Sequence, residues 1–410
     1  MRLTADFHIH SRFSRATSTD MGIRELSEGA VVKGIDIVGT GDFTHPKWLA
    51  ELRSSLQPAE NGLFMHGKTL FVLSAEVSNV FEEKRAMKKV HTVILAPSFD
   101  VVEQINDALS KHGELDADGR PTLDMPCSEL SEIINSICRD CLLIPAHAWT
   151  PWFSVFGSRS GFNSIEECFE DQSKNIYAIE TGLSSDPAMN WRVSSLDKYA
   201  LVSNSDAHSP HNIGREANVF EIKKPSYYEI IDAIKKKDER FVMTIEFFPE
   251  KGKYHYDGHR NCNVSLHPRE TIKYKNICPV CRKPLTLGVL HRVEELADRE
   301  EGFMPKNAKP YMSVLPLEEL IAKALGTTPS SKKSRSIYNL LIERFGNELG
   351  VFSARSGDIY EICPELAPIM DAVKSRTIRI KPGYDGVYGE VELKPASDRA
   401  NQKTLGEFFV

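Results

Sequence analysis

Asp6-Phe7-His8-Ile9-His10 is the stretch from which the rest of the chain can be read. In an extended segment alternate side chains share a face, so His8 and His10 point the same way. Two imidazoles placed like that can grip one divalent cation. Similar segments recur downstream, each an apolar run closing on a histidine or a carboxylate: Ile35-Asp36-Ile37-Val38-Gly39-Thr40-Gly41-Asp42, Leu70-Phe71-Val72-Leu73-Ser74-Ala75-Glu76, Val90-His91-Thr92-Val93-Ile94-Leu95, Leu142-Leu143-Ile144-Pro145-Ala146-His147 and Ala200-Leu201-Val202-Ser203-Asn204-Ser205-Asp206-Ala207-His208. Amphipathic helical stretches at Ile23–Lys33 and residues 100–111, 128–138 and 226–237 interleave with them. That alternation reads as parallel strands, and ligand-type residues at strand ends read as a site at the mouth of a barrel.

The chain has 410 residues, 41% hydrophobic and 26% charged, enough for a sizeable core and more than one ordinary domain. Its formal charge of −6 argues mildly against nucleic acid, but a whole-chain figure conceals local patches. No apolar run reaches membrane-spanning length and no leader is evident, so a cytoplasmic protein with no membrane partner is expected. Eight cysteines in this length do not suggest a secreted disulfide framework. Cys138 and Cys141 form an isolated Cys-x-x-Cys at a helix-to-strand junction, read as packing.

The ligand-type residues at these segment ends are His8, His10, Asp42, Glu76, His91, His147, Asp206 and His208, with His45 a further candidate. Mixed nitrogen and oxygen donors suit zinc, manganese or iron. The set exceeds the needs of one ion, so two or three divalent metals (zinc, manganese or magnesium) are expected, with Glu76 the natural bridge. These segments resemble the PHP (polymerase and histidinol phosphatase) family, which implies a distorted (β/α)7 barrel that hydrolyses phosphoesters. The resemblance implies that His8, His10, Glu76 and Asp206 hold one metal, Glu76, His91 and His147 a second, and that His208 helps hold a third. It further implies catalytic roles for Glu76, Asp206, His208 and Asp42. The family has Asp-His at the second strand. Here Asp42 is followed by Phe43, so Asp42 or the displaced His45 would have to serve.

Three longer stretches narrow the resemblance: Gly39-Thr40-Gly41-Asp42-Phe43-Thr44-His45-Pro46, Pro145-Ala146-His147-Ala148-Trp149-Thr150-Pro151-Trp152-Phe153 and Glu180-Thr181-Gly182-Leu183-Ser184-Ser185-Asp186-Pro187-Ala188-Met189-Asn190-Trp191. They resemble the endonuclease Q family of archaea and some bacteria. The implied activity is DNA repair by incision 5′ to deaminated bases (hypoxanthine, uracil, xanthine) and abasic sites. A nuclease for a damaged base must take it out of the stack. Trp149, Trp152, Phe153 and Phe156 follow His147 and are candidates to wedge or stack a base. Glu180, Ser184, Ser185, Asn190 and Trp191 are candidates to line its pocket. Two other readings are a small-molecule phosphoesterase of the histidinol phosphatase kind and a non-catalytic zinc-bearing clamp adaptor.

His259-x2-Cys262 and Cys278-x2-Cys281 make a tetrahedral pattern for one structural zinc, with His267 the rival fourth ligand. Residues 251–292 carry nine Lys/Arg and two Asp/Glu, a net of +7 that suits phosphate-backbone contact. Expected units are the barrel over residues 1–245, the basic zinc module over 246–304, a helical region with a β-hairpin over 305–396, and a flexible tail over 397–410. In that tail Gln402, Leu405, Phe408 and Phe409 match Q-x-x-L-x-x-F-F and resemble the box by which proteins bind a sliding clamp (PCNA).

Overall fold

A computed structural model describes residues 1–392. The fold is mixed α/β. The five expected apolar runs form strands at Ile37–Gly39, Thr69–Glu83, Ala86–Ala96, Leu142–Pro145 and Ala200–Val202, the opening stretch is led by a strand at Arg2–Asp6, and further strands stand at Ala178–Glu180, Ala217–Glu221 and Phe241–Phe247. The expected helices stand at Ile23–Lys33, Phe99–Leu109, Cys127–Ile137 and Tyr227–Lys236. Ser226 is an N-cap rather than a helical residue; its hydroxyl accepts from the Glu229 N–H.

The expectation of parallel strands requires correction. Arg2–Asp6, Ile37–Gly39 and Thr69–Glu83 pair in parallel. Ala86–Ala96 runs antiparallel to both Thr69–Glu83 and Leu142–Pro145, and Ala217–Glu221 is antiparallel to Arg2–Asp6. The reversal after Glu83 passes through Lys84 and Arg85, both in the left-handed region (φ 50° and 65°). A two-residue hairpin needs that conformation and is usually signalled by Asn-Gly; Lys-Arg carries no such signal. Among the described residues the ladders do not close into a barrel. Ala178–Glu180 and Ala200–Val202 pair only with each other, and single hydrogen bonds tie them on: Ala148 N to Glu180 O, and His10 N to Ala207 O beside an Ile9–Ala207 bridge.

Alternate residues of these strands, including Leu3, Ala5 and Phe7, Val93 and Leu95, and Leu142 and Ile144, form one core with Tyr227, Ile230 and Ile234 of the helix Tyr227–Lys236. A larger core holds the remaining helices around Trp48, Leu52, Phe71 and Ile105.

The expected boundary at 245/246 falls inside the strand Phe241–Phe247, and that at 304/305 falls in a loop. Tyr311–Val314 pairs in parallel with Phe241–Phe247 and so extends the main sheet. The hairpin Arg379–Lys381/Glu390–Glu392 packs on the zinc module: Tyr256 N bonds Gly383 O, and Asp385 accepts from Arg260 N and Thr286 Oγ1. Helices Leu317–Leu325 and Lys332–Phe345 lie within the expected helical region. Gln402, Leu405, Phe408 and Phe409 lie outside the described residues.

Candidate metal centre

The Ile9–Ala207 bridge sets up the site. His8 and His10 flank Ile9, Asp206 and His208 flank Ala207, and period-two alternation sends all four side chains to one side. On the next pair of strands Glu76 stands opposite Val93, so His91, two residues along, is its diagonal neighbour on the same face. His147 follows the strand Leu142–Pro145.

Two ligand groups result, with donor atoms in each within 4.8 Å of one another: His8, His10, Glu76 and Asp206, and Glu76, His91 and His147. Glu76 divides its carboxylate between them. Oε2 lies 3.2 Å from His10 Nε2 and 3.5 Å from His8 Nε2. Oε1 lies 2.8 Å from His91 Nδ1 and 3.1 Å from His147 Nε2. Asp206 Oδ1 completes the first group at 3.1 Å from His10 Nε2.

Carboxylates behind the rings set their orientation. Glu180 sits 3.0 Å from His8 Nδ1 and accepts from the His147 backbone N–H. Asp42 sits 3.0 Å from His10 Nδ1, and its other oxygen accepts from Ser11 N, Ser11 Oγ and Ser14 Oγ. Glu180 and Asp42 therefore stand one layer behind the ligand groups, as partners of the histidines. His45 caps the helix Pro46–Ser55 and stacks on Phe13, outside both groups. His208 packs against His10 with the rings tilted by 47° and centroids 4.5 Å apart, its Nδ1 3.6 Å from Asp206 Oδ1.

Three residues here, Asp42, His147 and Asp206, hold positive φ (48°, 31° and 47°). L-residues adopt that region at a cost, and such residues cluster at functional sites. Gly182 turns beside them at φ +61°, where a Cβ would fall 2.6 Å from that of His147.

Burial disfavours the charged forms of His8 and His10, yet the carboxylates of Glu180, Glu76, Asp42 and Asp206 outweigh it and hold both well above the usual histidine range. Burial would likewise raise Glu76, but His91, His8 and Arg120 hold it well below the carboxylate range. Burial lowers His91 to about 4 against the pull of Glu76. Arg120, 3.1 Å from Glu76 Oε2, is a site residue that sequence reasoning missed, because it lies in a loop without motif.

The donors fit divalent cations. His8 Nε2, His10 Nε2 and Asp206 Oδ1 are buried without a hydrogen-bond partner and converge on one point. Buried polar atoms need a partner, and nitrogen with carboxylate oxygen suits zinc, manganese or magnesium.

The aromatics after His147 divide. Trp149 is buried against Phe156, and its indole N–H donates to Asn190 Oδ1. Asn190 Nδ2 donates to Ser185 Oγ and Asp186 O, and Ser185 Oγ donates to Thr181 O. These three point inward and hold the loop together. Trp152 is 43% exposed, Ser184 is half-buried, and Trp191 packs edge-on against Tyr311 beside a cavity of about 250 Å³.

His259, Cys262, Cys278 and Cys281 form a third group. His259 Nδ1 lies 3.3 Å from Cys281 Sγ. His267 is engaged elsewhere, its Nδ1 accepting from Arg269 N at the start of the helix Pro268–Lys273. Three thiols and an imidazole suit a closed tetrahedral zinc site.

A mixed α/β sheet whose strand ends bring together two histidine–carboxylate groups sharing one glutamate defines a metal-site protein of the PHP class, and residues 192–238 match the family described as PHP-associated. Residues 316–377 match the MJ0043 C-terminal domain. The lesion-specific endonuclease PfuEndoQ from Pyrococcus furiosus is 32% identical and superposes with a TM-score of 0.87 over 95% of each chain. An endonuclease Q bound to a 27-mer duplex with an abasic lesion at the active site gives 0.86 at 32% identity, over 96% of this chain and 97% of that one. The chain belongs to the endonuclease Q family. Two uncharacterized proteins are also similar. YqxK of Bacillus subtilis is 26% identical over 95% of this chain and 99% of its own length. MJ0043 of Methanocaldococcus jannaschii is 33% identical over 61% of this chain, and that match spans only 32% of the archaeal protein.

Proposed function

We propose that the protein is a metal-dependent DNA repair endonuclease that hydrolyses the phosphodiester 5′ to deaminated bases (hypoxanthine, uracil, xanthine) and abasic sites. The observation that carries this reading is the division of Glu76 between two ligand groups, in a chain that superposes on an endonuclease Q holding an abasic duplex. Divalent cations at such a site supply Lewis acidity and a nucleophilic water at neutral pH. The residues of this chain hold and orient. His8, His10 and Asp206 present donors on one side of Glu76, and His91 and His147 on the other. Glu180 and Asp42 fix the tautomers of His8 and His10 by accepting at Nδ1, which leaves each Nε2 as the donor. Arg120 and His208 border the groups, placed to meet the charge of a phosphodiester. The basic zinc module supports backbone contact, and the tail motif supports docking to a sliding clamp.

The test is incubation with Mg²⁺, Mn²⁺ or Zn²⁺ and end-labelled duplexes carrying uracil, hypoxanthine, xanthine or an abasic site, beside an undamaged duplex and histidinol phosphate. A single incision 5′ to the lesion, with the undamaged duplex and histidinol phosphate intact, is the expected result. Release of phosphate from histidinol phosphate without incision would overturn the reading.

A further inference from the structure

Three segments far apart in the chain bring aromatic rings to one surface beside the metal centre. Trp152 comes from the loop after His147, Tyr254 from the start of the zinc module, and Tyr388 from the C-terminal hairpin. Trp152 is 43% and Tyr388 63% exposed. Tyr254 meets Trp152 edge to face, with centroids 5.6 Å apart. The Lys253 ammonium lies 4.6 Å from the Tyr388 ring, and Lys253 O accepts from Gly386 N, which holds the hairpin against the module. Lys253 and Arg260 are exposed, and the Asp385 carboxylate is engaged by Arg260 N and Thr286 Oγ1.

This surface is tied to the ligands. Thr150 Oγ1 donates to Trp152 O and lies 3.2 Å from His147 Nδ1. The next residue, Phe153, sets its ring 4.8 Å from the His91 ring, tilted by 40°, and accepts from His91 N through its carbonyl. Trp152 is thus two hydrogen bonds from a ligand of the metal groups while its own ring faces solvent.

Aromatic rings that reach solvent, interleaved with cations, are the ingredients of a base-stacking platform. Resting on the nuclease reading above, we infer that Trp152, Tyr254 and Tyr388, flanked by Lys253 and Arg260, form a platform for an unstacked base of the duplex, the one left without a partner when the lesion nucleotide turns toward the metal centre. An extruded nucleotide leaves its opposite base unpaired, and a ring to stack on offsets the stacking that base loses. The platform exists only when barrel loop, zinc module and hairpin are assembled, which gives the hairpin a part in the chemistry.

The test uses the full-length protein and a duplex with an abasic site, a methylphosphonate at the scissile position to block cleavage, and 5-iododeoxyuridine opposite the lesion. Irradiation is expected to cross-link the iodo base to Trp152, Tyr254 or Tyr388, mapped by mass spectrometry. Trp152→Ala and Tyr388→Ala are each expected to weaken binding of the lesion duplex by roughly tenfold, with Trp152→Phe and Tyr388→Phe restoring most of it. Both positions are exposed, and an unchanged melting temperature confirms folding. Cross-links elsewhere, or alanine variants that bind as the parent does, overturn the platform. Absence of lesion incision by the parent overturns the nuclease reading instead.

Discussion

Glu180 stands directly behind His8: its carboxylate oxygens lie 3.0 and 3.2 Å from Nδ1, while His8 Nε2 faces Glu76 at 3.5 Å and Asp206 at 3.6 Å. The same carboxylate accepts from His147 N, so one buried residue orients a ligand of each metal group. Removing such a support weakens metal affinity or activity by about 10- to 100-fold. Glu180→Ala is therefore expected to lower metal occupancy and incision within that range, with Glu180→Gln intermediate because its amide oxygen can still accept from both donors but without the carboxylate's charge. Metal titration followed by incision rates checks this. Parent-like metal affinity in Glu180→Ala would remove the orienting role.

Glu76 is the shared ligand, and its loss removes a donor from both groups at once. Glu76→Ala and Asp206→Ala are expected to abolish incision while keeping the fold. Elemental analysis should show Glu76→Ala losing more bound metal than Asp206→Ala, which belongs to one group only. Full cleavage by either variant would displace these residues from the reaction.

How much of this site was legible follows from where its residues sit. His8, His10, Glu76, His147 and Asp206 end or follow apolar runs and His91 stands near the start of one, positions that are visible in a sequence. Arg120 and Asp42 differ in kind. Arg120 reaches Glu76 from a loop that only the tertiary fold brings near. Asp42 looks like a ligand until Ser11 and Ser14 are seen to turn its second oxygen away from the metal groups. Ser185 and Asn190 read as a polar pocket wall, but a short helix from Pro187 to Asn190 folds both inward. The antiparallel direction of Ala86–Ala96 escaped because its turn residues, Lys84 and Arg85, lack the side chains that usually mark left-handed backbone. Periodicity reports which face is buried. It does not report the direction of a strand or the second partner of a polar side chain.

The zinc group offers a discrimination that spacing alone left open. Cys278→Ser and His259→Ala are each expected to release one zinc and lower the melting temperature, since closed sites contribute folding free energy directly. His267→Ala is expected to keep the zinc, because His267 caps a helix instead. Zinc content measured after gel filtration decides the matter, and retention of zinc by His259→Ala with loss in His267→Ala would reverse the assignment.

A buried carboxylate pair gives a pH prediction. Burial, reinforced by Asp186, raises Glu246 to about 8 although Thr244 and Thr181 donate hydrogen bonds to it, and burial beside Glu246 raises Glu216 well above the usual range. The folded state then binds more protons than the unfolded state between the ordinary carboxylate range and about pH 8, so stability falls as pH rises through that window. Glu246→Gln stays neutral and keeps an acceptor for Thr181. Its melting temperature is expected to exceed the parent's at pH 8 and to converge with it near pH 5. Equal melting temperatures at both values would mean that Glu246 ionises freely in the fold.

The sequence after residue 392 yields the last prediction. Pro395-Ala396-Ser397-Asp398-Arg399-Ala400-Asn401 is small and polar, and Gln402, Leu405, Phe408 and Phe409 follow it. The spacing of two adjacent aromatics with a leucine three residues earlier matches what a single helical turn needs to present one apolar face on binding, and aromatic anchors dominate small interfaces. A polar lead would let such a motif reach a groove on a ring-shaped clamp without moving the metal centre, and tethering the enzyme to the ring raises its effective concentration on DNA. Phe408→Ala combined with Phe409→Ala is therefore expected to leave incision of short lesion duplexes unchanged while removing clamp binding and any clamp stimulation. Titration of the parent, the double variant and the isolated tail peptide against the sliding clamp of the same organism is the measurement. Equal binding by parent and variant would exclude the motif. A lowered melting temperature with lost basal incision would show instead that both phenylalanines pack on their own domain.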